Sequence, residues 1–198
     1  DVGSLVALLA VEADTGEIRQ RVRAASDHLS EFLIPSYRRQ PHITVFVCGF
    51  LVAARSYDDD YGIEEFERHA DLLRKSALRP FPLEIGALNS FASAPFLAVA
   101  DPEDGLGRLR SVLMTTGKEI ERGDYVPHVT VGLYSDAFPS DLVAKRIASF
   151  SRGRCTLRVD RITFATFRAE EMYGALTRRH EITLNKGDGK AIGSGLSS

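Results

Sequence analysis

Two stretches, Pro41-His42-Ile43-Thr44-Val45 and Pro127-His128-Val129-Thr130-Val131, repeat one pattern: a short apolar run interrupted by a histidine and, two residues on, a threonine. Along a β-strand successive side chains point to opposite faces. Each His therefore projects beside its own Thr, while Ile43, Val45, Val129 and Val131 face the other way into a core. A chain that presents this pair twice is suited to bringing two imidazoles to one place.

Working outward from the first copy, Ser4 to Glu12 is a continuous apolar run that fits a buried strand. Asp14 and Glu17 suggest a helix start. Ile18, Val22, Ala25, Leu29 and Phe32 follow at helical spacing, and Pro35 ends the pattern. The first His-Thr strand then runs to about Phe50. Residues 54–62 are polar and acidic and read as a surface loop. Ile63, Phe66, Ala70 and Leu73 mark a second helix, and 81–91 and 95–100 a hairpin.

The order then recurs around the second copy. A helix carrying Leu106, Leu109, Leu113 and Ile120 is followed by a loop with Gly123 and Asp124. The second His-Thr strand reaches Tyr134. A helix over 138–150 turns Leu142 and Ile147 inward, and strands close the chain at 155–168 and 172–184. Residues 186–198, rich in Gly, Ser and Lys, have the composition of a disordered tail. The pattern predicts an α+β fold in one bilobal domain over 1–185. Two duplicated strand-helix-strand-helix-strand units, related by a pseudo-twofold axis, would line a central cleft with two antiparallel sheets.

Composition narrows the functional classes. With 44% hydrophobic and 26% charged residues the chain is an ordinary globular one, and no apolar run approaches the roughly 18–20 residues of a membrane helix. Asp1-Val2-Gly3-Ser4 lacks the basic and apolar regions of a secretory signal, and the two lone cysteines fit the reduced thiols of a cytoplasmic protein. A net charge of −2 argues against a binder of long duplex DNA, yet a phosphorylated small substrate needs only a local positive site. Cys48 and Cys155 form neither a disulfide framework nor a metal spacing, and read as buried thiols.

The repeated pair suits phosphodiester chemistry. Imidazole titrates near neutral pH, so one His can take a proton from a nucleophile while the other gives one to a leaving oxygen. A threonine hydroxyl on the same face can donate to a non-bridging phosphate oxygen as charge builds up. No metal or cofactor is implied. His28 lies within the first helix, and His69 and His180 lack the pattern; all three read as structural or solvated.

The doubled motif and the order of elements over residues 4–184 resemble the two-histidine phosphoesterase superfamily, which includes bacterial 2'-5' RNA ligases and cyclic nucleotide phosphodiesterases. The resemblance implies metal-independent action on a nucleotide or RNA end bearing a 2',3'-cyclic phosphate or a 2'-5' linkage. His42 and His128 would be the acid-base pair, and Thr44 and Thr130 the phosphate ligands. It also leaves open ligation by the same site in reverse, or a non-catalytic nucleotide-binding module. Some relatives carry a basic residue after the second motif, where this chain reads Val131-Gly132-Leu133-Tyr134. Further candidate substrate contacts are Tyr134 and Phe46 as stacking residues, and Arg39, Arg122 and Tyr125 at the cleft rim.

Overall fold

The computed structural model describes residues 4–120, 123–151 and 153–185. Its first strand, β1 (Leu5–Glu12), is buried along nearly its whole length, as its unbroken apolar sequence requires. Helix α1 (Gly16–His28) starts at Thr15, whose hydroxyl accepts from the Ile18 amide, so Thr15 is the cap in place of Asp14. The helix is shorter than its apolar period predicts, because Ser30–Phe32 tightens into a 3-10 turn. Strand β2 (His42–Leu51) then pairs antiparallel with β1, setting Glu12 against His42.

The remaining elements are β3 (Asp60–Tyr61), α2 (Ile63–Lys75), β4 (Phe81–Ser90), β5 (Pro95–Ala100), α3 (Gly105–Leu113), β6 (His128–Thr130), α4 (Ser140–Ala148), β7 (Cys155–Val159), β8 (Arg161–Arg168) and β9 (Thr177–Thr183). Helix α4 turns Val143 inward and leaves Leu142 about half exposed, which corrects the inward placement of Leu142. The stretch expected as one strand over 155–168 is two strands that meet at Asp160 and belong to different sheets.

Those sheets run β3-β2-β1-β8-β9 and β6-β5-β4-β7. Setting β3 aside, the two orders correspond strand for strand: β2 with β6, β1 with β5, β8 with β4, β9 with β7. The expected duplication is present, with one difference. Neither half keeps all its own strands: β4, from the first half, joins the second sheet, and β8 and β9, from the second half, return to the first. This exchange ties the lobes into a common core that includes Leu9, Ile43, Leu83, Leu97, Leu109 and Val129, all essentially inaccessible.

The halves are also joined by backbone. Leu33 bridges Tyr134, the Ile34 amide donates to the Leu133 carbonyl at 3.0 Å, and the Ser135 amide donates to the Phe32 carbonyl at 2.9 Å. Both cysteines are free and buried; burial pushes the Cys48 thiol up to about 12, so it is unreactive at neutral pH. No helix among the described residues is long and apolar enough to cross a membrane. The segment 186–198 lies outside the described residues.

Candidate active site

The two motif strands occupy equivalent edge-side positions, and a proline in front of each fixes how its histidine is held. A residue before proline is kept extended. Here those residues, Gln40 and Val126, aim their carbonyls at the histidine two positions on. His42 Nδ1 lies 2.8 Å from the Gln40 oxygen, and His128 Nδ1 lies 2.7 Å from the Val126 oxygen. A carbonyl only accepts, so Nδ1 carries the proton in both rings. In each neutral imidazole this leaves the Nε2 lone pair free. The prolines contribute again through their own carbonyls, since Pro41 accepts from the Ala13 amide and Pro127 from the Val99 amide. Two lobes with little sequence in common thus hold their histidines by the same device.

His42, Thr44, His128 and Thr130 line one cavity of about 490 Å³. The environments of the two rings differ. His42 is buried, and burial, opposed by the Gln40 bond and reinforced by Arg39 and His128, lowers it to about 4. His128 is half-buried, flanked by Phe91 at 4.9 Å and Phe96 at 5.4 Å between ring centroids.

Tyr37 and Arg39, from the loop before β2, complete the wall beside His42. The Tyr37 phenol interacts with the Thr130 side chain across the lobes, and burial pushes it up to about 12, so it stays a hydroxyl at neutral pH. Arg39 stacks its guanidinium over Phe167, 4.1 Å from the ring centroid, and donates from Nε to the Gly174 carbonyl at 3.1 Å. Among the described residues its buried Nη2 has no partner and no carboxylate pairs with it. Burial lowers its pKa, the sign of an uncompensated cation. Such a group is a natural seat for an anion.

The other candidates fall elsewhere. Strict alternation places Phe46 on the His42 face, and the structure corrects this. A bulge opposite Leu9 and Ala10 adds one residue to β2, so Val45 and Phe46 both turn into the core and Val47 takes the cavity face. Phe46 packs edge-on against His69. Tyr134 lies beyond the end of β6, which stops at Thr130; its hydroxyl bonds Ser90 Oγ at 2.6 Å, and it does not line the cavity. Arg122 lies outside the described residues.

Tyr125 does reach the cavity, and its hydroxyl donates to the Thr44 carbonyl at 2.9 Å. Its ring lies under Arg110, 3.9 Å from the guanidinium carbon. Arg110 in turn donates to the Val45 carbonyl and pairs with Glu119 at 2.7 Å, and Glu119 accepts from the Val47 amide at 2.9 Å. Strand β3 covers β2 only at Phe50 and Leu51. The second lobe therefore satisfies the open edge of β2 where it carries Thr44.

A larger cavity of about 710 Å³ opens on the opposite face of β2, against Phe46, Cys48 and His69. His69 has no free ring nitrogen: Nε2 donates to the Leu113 carbonyl at 3.2 Å, and Nδ1 accepts from the Tyr61 hydroxyl at 3.0 Å. That histidine is structural. Sequence reasoning missed Tyr37 and Phe91 as cavity residues, and only their closeness in sequence to a motif or a turn could have pointed to them.

The family model of the 2'-5' RNA ligase superfamily matches residues 10–171, and the chain belongs to that superfamily. Among solved structures, E. coli LigT complexed with 3'-AMP matches at 15% identity with a TM-score of 0.59, covering 91% of this chain and 98% of LigT. TT0787 of Thermus thermophilus matches at 14% identity and 0.59, covering 92% and 99%. Kluyveromyces marxianus Usb1 with uridine monophosphate matches at 16% and 0.51, covering 90% and 98%. At these identities the likeness is one of fold. No curated protein matches the sequence.

Proposed function

We propose that this protein is a phosphodiesterase that hydrolyses 2',3'-cyclic phosphates or 2'-5' linkages of nucleotides or RNA ends. The observation that carries the reading is the pair of identically anchored histidines, each with its threonine, facing one cavity. For a cyclic phosphate, His42 Nε2 takes a proton from water as its oxygen bonds to phosphorus. His128 gives a proton to the ribose oxygen as its bond to phosphorus breaks. The product is a ribose phosphate monoester. His42 suits the base role because burial keeps it neutral down to about 4.

Thr44 and Thr130 donate to the non-bridging oxygens, and Arg39 supplies the positive charge that the sequence after the second motif lacks. Acid, base and charge stabilisation are then all met by side chains, so no step calls for a metal. That LigT was solved with 3'-AMP, and Usb1 with uridine monophosphate, supports a nucleotide as the ligand class.

The test is turnover of 2',3'-cyclic nucleotides and 2'-5'-linked dinucleotides in excess chelator, with products separated chromatographically. Monoester products at an undiminished rate support the reading; loss of turnover on chelation, or none on either substrate class, contradicts it.

A further inference from the structure

His42 borders two cavities, the one of about 490 Å³ that it shares with His128 and a smaller one of about 220 Å³ that it shares with Gln40 and Leu176. A ring with open space on two sides is not fixed by packing alone. At His128 the rings of Phe91 and Phe96 supply such packing, and among the described residues no aromatic ring does the same for His42. The orientation of the His42 imidazole therefore rests on its Nδ1 bond to the Gln40 carbonyl.

That carbonyl is held by its own side chain. Gln40 lies ahead of β2, outside the register with β1 that begins at His42. Its carboxamide reaches across to the turn between β8 and β9. There Nε2 donates to the Leu176 carbonyl at 3.1 Å, and Oε1 accepts from the Leu176 amide at 2.8 Å. One side chain satisfies both main-chain groups of Leu176, as a neighbouring strand would.

The residues before Gln40 close on the same turn. The Arg38 amide donates to the Tyr173 carbonyl at 2.9 Å, and Arg39 Nε to the Gly174 carbonyl. The turn is firm in itself, since the Glu171 amide donates to the Arg168 carbonyl at 3.0 Å and the Gly174 amide to the Glu171 carbonyl at 2.8 Å. The second lobe has no equivalent clasp. Val126 stands in the place of Gln40, and its side chain can neither donate nor accept.

We infer that Gln40 is a positioning residue for His42: its side chain, clasped to the β8–β9 turn, fixes the carbonyl that keeps the imidazole in its Nδ1–H tautomer. Without the clasp that carbonyl can swing away, and the proton of the neutral ring redistributes between the two nitrogens. A ring protonated on Nε2 has no lone pair to turn toward a nucleophile. The inference rests on the acid-base reading of the site and adds to it a residue that does not line the catalytic cavity.

Gln40→Met keeps the length of the side chain and removes both bonds. The direct readout is heteronuclear NMR of the imidazole nitrogens in the ligand-free protein. His128 is the internal control, because its anchor has no clasp. At mildly alkaline pH the wild type is expected to show a protonated Nδ1 and an unprotonated Nε2 in both rings. In Gln40→Met the two His42 nitrogens are expected to move toward a common averaged position while those of His128 stay put. The melting temperature is expected to stay close to wild type, since Gln40 is exposed.

On a 2',3'-cyclic nucleotide, kcat is expected to fall about tenfold with KM within about twofold. Gln40→Glu, which keeps an acceptor for the Leu176 amide, is expected to fall between the two. His42 nitrogens unchanged by Gln40→Met, or shifts of equal size in both histidines, would overturn the positioning. The NMR needs no substrate, so it separates this inference from the proposed reaction. A response confined to His42 in a protein that hydrolyses nothing would remove the reaction and leave the positioning standing.

Discussion

His42 and His128 lie on different sheets, yet each holds its Nδ1 against the carbonyl two residues upstream, at 2.8 and 2.7 Å. The same anchor meets different surroundings, buried for His42 and half open for His128. That difference underlies the roles proposed for them and has a consequence for stability.

Unfolded, His42 titrates at its ordinary 6.5; folded, it stays neutral to about 4. As pH falls below 6.5, the unfolded chain binds a proton that the folded chain refuses, so stability drops until about 4 and then levels. At 1.36 kcal/mol per pKa unit, the loss is on the order of 3 kcal/mol. His42→Leu removes it. Chemical denaturation from pH 7 to 4 is expected to show the wild type losing about that much more stability than the variant; parallel curves would show that His42 titrates normally.

Arg39 offers a trade between stability and binding. Its stacked guanidinium is half-buried, with Nη2 fully buried and no counter-charge among the described residues, so Arg39→Met exchanges an uncompensated cation for an apolar chain. The variant is expected to melt at the same temperature or higher, while its KM for a cyclic nucleotide rises about tenfold or more. Arg39→Lys keeps the charge but loses the planar stack and restores only part of the affinity. A lower melting temperature with unchanged KM would assign Arg39 to structure.

Removing either threonine hydroxyl while keeping its shape isolates the proposed phosphate donors. Thr44→Val and Thr130→Val are each expected to lower kcat about 100-fold, and the serine replacements to recover most of it. Circular dichroism and melting curves close to wild type accompany the kinetics. Valine variants with full kcat would take the threonines out of the chemistry.

The clasp on β2 predicts a structural effect of another kind. Glu119 and Arg110 are nearly buried, and Glu119→Ala strands the guanidinium and frees the Val47 amide. About 3 kcal/mol of stability is expected to go. The double replacement Arg110→Leu with Glu119→Leu is expected to lose less than the sum of the singles, measured by denaturant titration. Additive losses would mean that the pair is not coupled.

Much of this was legible in the sequence, for local reasons. Strict alternation in His42-Ile43-Thr44-Val45 fixes which side chains share a face, and the helices announce themselves by Ile18 and Ala25, or by Leu106 and Leu109, at helical spacing. Register between strands was not legible. The bulge that turns Phe46 inward exists only in the pairing of β2 with β1. The exchange of β4 and β8 is decided by which sheet edge is open, a property of the whole fold. Tyr37, Arg39 and Phe91 line one cavity because of that long-range arrangement, and the role of the Pro-His dipeptides rests on the Gln40 and Val126 carbonyls that accept from the rings.

Turnover of a 2',3'-cyclic nucleotide reads whether the two anchored histidines act as one acid-base pair. The assay compares wild type, His42→Ala, His128→Ala and the double variant, all in excess chelator. Each single variant is expected to lose about 100- to 10,000-fold in kcat, and the double variant little more than the worse single, since paired catalytic groups are not additive. Full activity in either single variant would show that the two histidines are not the acid-base pair.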